Sequence, residues 1–498
     1  MEFSSSLYLG FSVILQPQNL LLCFLGCVMG TLVGVLPGLG PVAAISILLP
    51  STYHMGPVPA VIMLAGIYYG AMYGGSTTSI LVNIPGESAS VVTCLDGYKM
   101  ARQGRAGAAL GISAFGSFIA GTVATILIML AAPPLAQLAL FFGPPEYFAL
   151  MILGLAMLIY LAMESMLKAL IMACLGVFLG AVGTDPIHGV ERFTYGSYTL
   201  LDGLGLVPVL MGLFGIAEVL LNVEQKVKAE VYKTSIGRLL PTLEDWKRSI
   251  KAIFRGTLIG FFIGILPGGT AVVSSFAAYI LEKKLSKYPE KFGTGVIEGV
   301  AAPEAANNSA SQGSFIPLLT LGIPSNVVMA VLLGALLIHG VTPGPLLIKK
   351  HPDIFWGVIG SMYVGNIMLL LLNLPLIGVW VKLLRVPYSI MFPMILFFCM
   401  VGVYTVNNNY FEIVLMVLFG IVGYLFKKFS FEAAPLVLAF VLSPMLENAF
   451  RQALIMSGGS SSIFFTRPIS LVLLLIAIAL LLLPLIPNLK RIPKGETN

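Results

Sequence analysis

The stretch GFFIGILPGGTAVVSSF, Gly260–Phe276, decides the fold. It is an apolar run interrupted at its centre by Pro267, Gly268 and Gly269, and basic residues stand on both sides of it. Proline and glycine break a helix interior. Gly256–Leu281 gives about 26 apolar residues, enough for one crossing of a bilayer core. One crossing would leave either Arg255 or Lys283 and Lys284 on the outer side, against the bias that keeps basic loops inside. The sequence therefore predicts a re-entrant hairpin that enters from the cytoplasm, turns at Pro267-Gly268 and leaves again. Each arm of about 12 residues would rise roughly 18 Å, close to mid-membrane. A single kinked span is the alternative.

The interruption occurs twice. GTLVGVLPGLGPVAAIS, Gly30–Ser46, places Gly30, Gly34, Leu36, Pro37 and Gly38 on Gly260, Gly264, Leu266, Pro267 and Gly268 at one offset. A second pair follows: GGSTTSILVNIPGES, Gly74–Ser88, and QGSFIPLLTLGIPSN, Gln312–Asn326. Here Gly74, Ile84 and Pro85 align with Gly313, Ile323 and Pro324. Pro145 and Gly176 fall near Pro387 and Gly420 at a similar spacing. Two halves with the same order of breaks imply internal duplication. The first hairpin lacks basic flanks and the second has them, so the halves are expected to be inverted in topology, an arrangement of secondary transporters. The expected organisation is a first transmembrane repeat over 1–222, a cytoplasmic connecting loop over 223–255, a second repeat over 256–450, and a C-terminal span with a cytoplasmic tail over 451–498.

Composition sets the class. The chain has 498 residues, 58% hydrophobic and 10% charged, with mean hydropathy +0.96. Soluble proteins are about a quarter charged. Runs such as LVLLLIAIALLLLPLI do not alternate as barrel strands would. The expectation is an all-α polytopic membrane protein with two inverted repeats, re-entrant hairpins and broken helices at mid-membrane. Spans are expected near 107–131, 147–163, 169–183, 203–222, 354–380, 388–404, 411–426, 433–447 and 469–487. The start lacks a basic n-region and a small-residue cleavage site, and reads as mature protein. The net charge of +6 lies mostly in short loops, which suggests topology and not nucleic acid. The five cysteines and four histidines show no metal or catalytic spacing. No Walker A run is present, so the energy is expected from an ion gradient or another subunit. Asp185 and His188 share a polar loop where a partner could dock. Asp96 is expected to cap or pair beside Arg102 or Arg105.

The polar breaks suggest the site. Irregular backbone at membrane depth must be buried or line a cavity. A helix that ends there offers free N–H groups and a partly positive end, which suits a carboxylate or phosphate. Candidate substrate-binding residues are Gly38, Gly74, Gly75, Ser76, Thr77, Thr78, Ser79, Gly268, Gly269, Asn307, Asn308, Ser309, Ser311, Gly313 and Ser314. Pro37, Pro85, Gly86, Pro267, Pro324 and Ser325 are read as helix breaks near the site. Glu298 and Glu304 are candidates for ion coupling, since a carboxylate within the membrane is a functional candidate by default. Close helix packing by small residues is the competing reading for each glycine and serine.

Taken together, GVLPGLGP, YGGSTTSILVNIPGE, DGYKMARQGRAG, GILPGG, EGVAAPEAANNSASQGSFIPLLTLGIPSN and GVTPGPLL resemble the large membrane subunit of tripartite tricarboxylate transporters, the TctA type. The resemblance covers nearly the whole chain. It implies a non-enzymatic permease subunit of the bacterial inner membrane that imports di- or tricarboxylates such as citrate. A periplasmic solute-binding protein and a small membrane subunit would be its partners, and co-transported sodium or protons its driving force. The family pattern falls on Gly74–Ser79 and Asn307–Ser314. A stand-alone carboxylate symporter and an intramembrane enzyme with a serine of GGSTTS as nucleophile are the alternatives.

Overall fold

In hydrocarbon an apolar segment satisfies its own backbone only as a helix. The computed structural model describes residues 3–36, 40–162, 165–185, 187–225, 238–383 and 388–483, and these are mostly helical. In chain order the helices are α1 Phe3–Ile14, α2 Pro17–Val35, α3 Pro41–Leu48, α4 Pro57–Val82, α5 Val91–Arg102, α6 Ala106–Ala139, α7 Pro144–Tyr160 and α8 Met166–Gly180. Then come α9 Leu206–Leu210 and α10 Ala217–Gln225, joined by a π-helical stretch, Met211–Ile216. The second half has α11 Leu243–Ile265, α12 Ala271–Leu285, α13 Glu298–Gly313, α14 Phe315–Leu321, α15 Val327–Ile338, α16 Leu347–Lys350 and α17 Pro352–Asn373. It ends with α18 Ile377–Leu383, α19 Tyr388–Asn407, α20 Tyr410–Lys428, α21 Ala433–Met456, α22 Ile463–Thr466 and α23 Pro468–Leu482. A pair of two-residue strands, β1 Gly183–Thr184 and β2 Glu191–Arg192, is antiparallel. Proline opens α2, α3, α4, α7, α17 and α23, where its missing N–H costs no helical bond.

Among the described residues, seven helices are long and apolar enough to cross a membrane: α2, α4, α6, the α9–α10 rod, α17, α20 and α21. The protein is an all-α, multi-pass membrane protein. The segment expected as a connecting loop over 223–255 is helical at both described ends. The helix α10 runs to Gln225 and α11 begins at Leu243, and residues 226–237 lie outside the described set. Thr242 caps α11 by accepting the Asp245 N–H (3.2 Å).

The chain forms two compact units. The larger comprises 1–139 and 205–428, and the smaller 140–204 and 429–498. Both draw on both halves of the sequence. In the larger unit the α9–α10 rod packs on α19 and α20. In the smaller, α21 packs on α7 and α8, where a Cβ on Gly176 would lie 2.1 Å from the Leu436 carbonyl oxygen.

The larger unit is built on two seams of the same design. Gly26, Gly30 and Gly34 of α2 lie so close to α4 that added Cβ atoms would stand 2.3, 2.4 and 2.3 Å from the carbonyl oxygens of Met63, Ile67 and Ala71. Gly256, Gly260 and Gly264 of α11 meet α13 in the same way, at 2.3, 2.2 and 2.3 Å from the carbonyl oxygens of Ala302, Ala306 and Ala310. Without a hydrophobic drive between helices in lipid, such close backbone approach supplies the packing energy.

In the smaller unit, loop 183–203 is tied to α21 by charge. Asp185 accepts the N–H groups of Ile187 (2.8 Å) and His188 (3.1 Å) and a guanidinium bond from Arg451 (2.9 Å). Glu447 takes Arg192 (2.7 Å) and Arg451 (2.7 Å). The Arg451 guanidinium, with those two N–H groups, holds the Asp185 carboxyl well below the usual range.

Two outcomes follow from these contacts. Gly260→Val drives a side chain into the Ala306 carbonyl, and overpacking of this kind costs about 1–3 kcal/mol or more. Folded yield and thermal midpoint in detergent fall together. Gly378→Ala, with nothing within 4 Å of the new Cβ, leaves both unchanged. A lowered carboxyl contributes fully above the ordinary carboxylate range and fails only as pH falls through its own value. Limited proteolysis therefore finds loop 183–203 protected down to distinctly acid pH in the wild type, whereas Asp185→Asn is cut at neutral pH.

Candidate functional site

Each interruption begins with a residue that leaves helical geometry. Leu36 after α2 and Leu266 after α11 are both extended. Asn83 after α4 and Gly322 after α14 both turn left-handed, at φ 59° and 72°. Gly268 takes φ 79°, a conformation that glycine permits, and its N–H donates to the Ser325 carbonyl (2.7 Å). Gly269 could carry no side chain, since a Cβ would lie 1.7 Å from the Ile263 carbonyl oxygen. Pro267 and Pro324 thus belong to two breaks that touch through Gly268 and Ser325. Pro37 and Gly38 lie outside the described residues.

The chain restarts with caps. Thr270 accepts the Val273 N–H (3.3 Å) at the head of α12, and Asn326 the Met329 N–H (3.0 Å) at the head of α15. Glu87 accepts the Ala89 N–H (2.7 Å) ahead of α5, the capping role its place after the break suggests. These restarts line one cavity of about 500 Å³. Its wall is made of Gly40–Ala43, Pro85–Ser88, Thr270–Val272 and Asn326–Val328, with Tyr68, Met72, Val91, Phe214, Glu218 and Lys427. All belong to the larger unit. Lys427 forms an ion pair with Glu218. The first residues of α3, α12 and α15 therefore bring partly positive helix ends to a single chamber, and that chemistry suits an anion.

The two polar clusters sit elsewhere. The sequence reads Gly74–Ser79 as substrate-binding residues ahead of the break at Pro85 and Gly86. In the structure α4 continues through them unbroken to Val82, because their backbone bonds are made within the helix. Their hydroxyls also have partners: Ser76 donates to the Tyr73 carbonyl (2.8 Å), Thr78 to Val35 (2.6 Å) and Ser79 to Gly75 (3.0 Å). Thr77 is buried. A Cβ on Gly74 would stand 2.4 Å from the Thr31 carbonyl oxygen, so Gly74 belongs to the α2–α4 seam. Gly86, after the break, lies against the same seam, its place for a Cβ 1.9 Å from the Gly34 carbonyl oxygen.

The second cluster is the buried body of α13, with Gly313 its last residue and Ser314 the link to α14. Ser309 donates to the Thr257 carbonyl (2.7 Å), Ser311 to Asn308 (2.8 Å) and Ser314 to Ser311 (2.6 Å). Asn308 donates to Ser117 (2.7 Å), to Asn307 Oδ1 (2.6 Å) and to the Glu304 carbonyl (3.0 Å). Glu304 is fully buried and takes bonds from Thr93 and Asn307 (3.4 Å). Glu298 stands apart, in a bidentate ion pair with Arg248 (2.8 and 2.8 Å). Neither cluster is among the residues lining the cavity.

Sequence reasoning missed the partners of this network. Thr125 donates to Gln312 (2.7 Å), and Gln312 and Tyr73 both reach Asn366 Oδ1 (3.5 and 3.4 Å). The signal was present, since Asn366, in the middle of the apolar run of α17, is costly in lipid without a partner. Asp96 also departs from expectation. It accepts Tyr279 OH (2.8 Å) and the N–H groups of Gly293 (3.0 Å), Gly295 (2.8 Å) and Val296 (2.9 Å). Arg105 instead bonds Asp245 (2.5 Å). A buried carboxylate that accepts three N–H groups organises the turn before α13, a stronger demand than a surface ion pair. Asp96→Ala leaves those N–H groups unpaired, and is expected to destabilise the protein by on the order of 3 kcal/mol. A lowered thermal midpoint with faster amide exchange at 293–296 is the check.

Comparison with known proteins adds the following. A family model described as "Tripartite tricarboxylate transporter TctA family" matches residues 20–438. A protein of Agrobacterium vitis described as "Uncharacterized 52.8 kDa protein in TAR-I ttuC' 3'region" is 51% identical over 490 residues, covering 98% of each chain. A second from that organism, "Uncharacterized protein in TAR-II ttuC' 3'region", is 50% identical over 231 residues, 46% of this chain and 96% of its own length. No solved structure matches.

Proposed function

The chain belongs to the tripartite tricarboxylate transporter TctA family, and from that premise we propose that it is the large permease subunit of a secondary active importer of di- or tricarboxylates. In this reading a periplasmic solute-binding protein delivers the acid, a small membrane subunit assists, and a sodium or proton gradient across the bacterial inner membrane drives uptake. No bond of the substrate is made or broken.

The observation that carries the proposal is the convergence of restarting segments from both halves on one cavity. Three helix heads can bind a multivalent acid through backbone N–H groups and the caps Thr270 and Asn326, without an unpaired arginine. Gly268 and Gly269 shape the turn that presents Thr270. The clusters Gly74–Ser79 and Asn307–Ser314 then serve behind the site, as the seam and polar network that hold the breaks in place. The two halves, inverted in the membrane, would expose the cavity to either side in turn.

The test uses purified protein in lipid nanodiscs, with succinate, malate and citrate against chloride. A binding acid raises the unfolding free energy by about 2.7 kcal/mol at a hundredfold excess over its dissociation constant. Val327→Glu places a carboxylate at the first position of α15, where an acid favours the helix. It is expected to fold normally and to lose the stabilisation, while Val327→Gln keeps it. If no acid stabilises the wild type, or Val327→Glu still binds, the cavity is not the substrate site.

A further inference from the structure

We propose that Glu87 is the proton-coupling residue of this transporter: it carries one proton whenever a carboxylate substrate occupies the cavity. This rests on the cavity being the substrate site. Glu87 is 6% exposed and lies on the cavity wall. Its Oε2 accepts the Ala89 N–H (2.7 Å), while its Oε1 is buried with no hydrogen-bond partner among the described residues. A buried, unpaired carboxylate oxygen at an anion site is out of place unless something joins it to the ligand.

The charges around it show what is missing. Lys427 stands on the same wall, but it is paired with Glu218. On α4 the titratable neighbour is Tyr68. The α13 helix adds the buried carboxyl of Glu304, which interacts electrostatically with Glu87. The α12 helix and its cap bring Thr270, Ala271 and Val272 to the wall, none of them titratable at ordinary pH. A substrate carboxylate would thus meet Glu87 with no unpaired cation among the described lining residues. Two carboxylates in contact share a proton, since both cannot stay ionised. A metal cation would need several oxygen ligands, whereas Glu87's own neighbours are the Ala89 N–H and the Ser90 hydroxyl (3.4 Å from the Glu87 N).

The repeat supplies an internal comparison. NIPGES, Asn83–Ser88, aligns with GIPSNV, Gly322–Val327, so Glu87 corresponds to Asn326. Both cap the restarting chain and both line the cavity. At that position the second half carries a neutral amide and the first a carboxyl that becomes neutral on taking a proton. Gly75 makes the seat: a Cβ there would lie 2.7 Å from Glu87 Cγ. The proton enters from water on the loading side, rests on Oε1, hydrogen-bonds a substrate oxygen, and leaves to water on the release side.

The experiment measures acid binding against pH in nanodiscs, above the last ionisation of the acid used, with succinate, malate and citrate as probes. For the wild type, affinity is expected to fall about tenfold per pH unit once Glu87 ionises in the free protein, the 1.36 kcal/mol that one linked proton carries. In weak buffer with a pH dye, at a pH on that falling limb where Glu87 is ionised in the free protein, each acid bound should take up one proton. Glu87→Gln should bind with an affinity that no longer changes with pH and take up no proton. Binding to the wild type without proton uptake on that limb, or with a requirement for sodium in its place, overturns the proposal for Glu87 alone. A Glu87→Gln protein that keeps the wild-type pH slope does the same. Absence of binding at every pH overturns the cavity reading and this proposal together. The wild-type dye measurement decides the matter even if the variant fails to fold.

Discussion

Backbone groups released by a helix break have no partner in hydrocarbon, and each one left unpaired costs several kcal/mol. That constraint governs the larger unit. After the helices that end at Val35, Val82, Ile265 and Leu321 the chain restarts on one cavity. Where the described residues show the freed groups, they are taken up by one another or by caps, as Gly268 N–H takes the Ser325 carbonyl and Asn326 takes the Met329 N–H. The same arrangement leaves helix heads around a chamber, so the device that makes the breaks tolerable also gathers partly positive helix ends that suit an anion.

Glycine seams keep the breaks in register. The pairs α2–α4 and α11–α13 approach until backbone touches backbone, through glycines at matching positions of the two halves. Gly34 closes one seam and also receives Gly86 from the following break. Gly75 makes room for Glu87. Small residues on the two sides of one seam, Gly34 of α2 and Gly75 of α4, thus set helix spacing, the docking of a break and the seat of a cavity carboxyl. This is why the competing readings of Gly74–Ser79, packing or binding, are not independent.

Much of the fold was legible in the sequence because lipid leaves few choices. Long apolar runs had to be helices, and Pro-Gly pairs within them had to be breaks. The cavity was legible only in outline. Pro85, Gly86 and the neighbourhood of Pro267 and Pro324 lead to the cavity, whereas the hydroxyls of Ser76, Thr78 and Ser79 already bond carbonyls of their own or the adjacent helix. A hydroxyl in a sequence looks free, and a helix can absorb it four residues back. Asp96 failed for a related reason. Its partners at 293–296 lie about two hundred positions away, and no local pattern announces them.

The sequence by itself determined a helical membrane protein with twofold repeated interruptions, since both follow from hydropathy and from the conformations open to proline and glycine. Only the tertiary structure decided which polar residues face open space. Burial and pairing are properties of neighbours distant in the chain. Those neighbours placed Glu304 and Asn307 in a closed network, and left Glu87, a residue of the chamber wall, with one oxygen buried and unpaired.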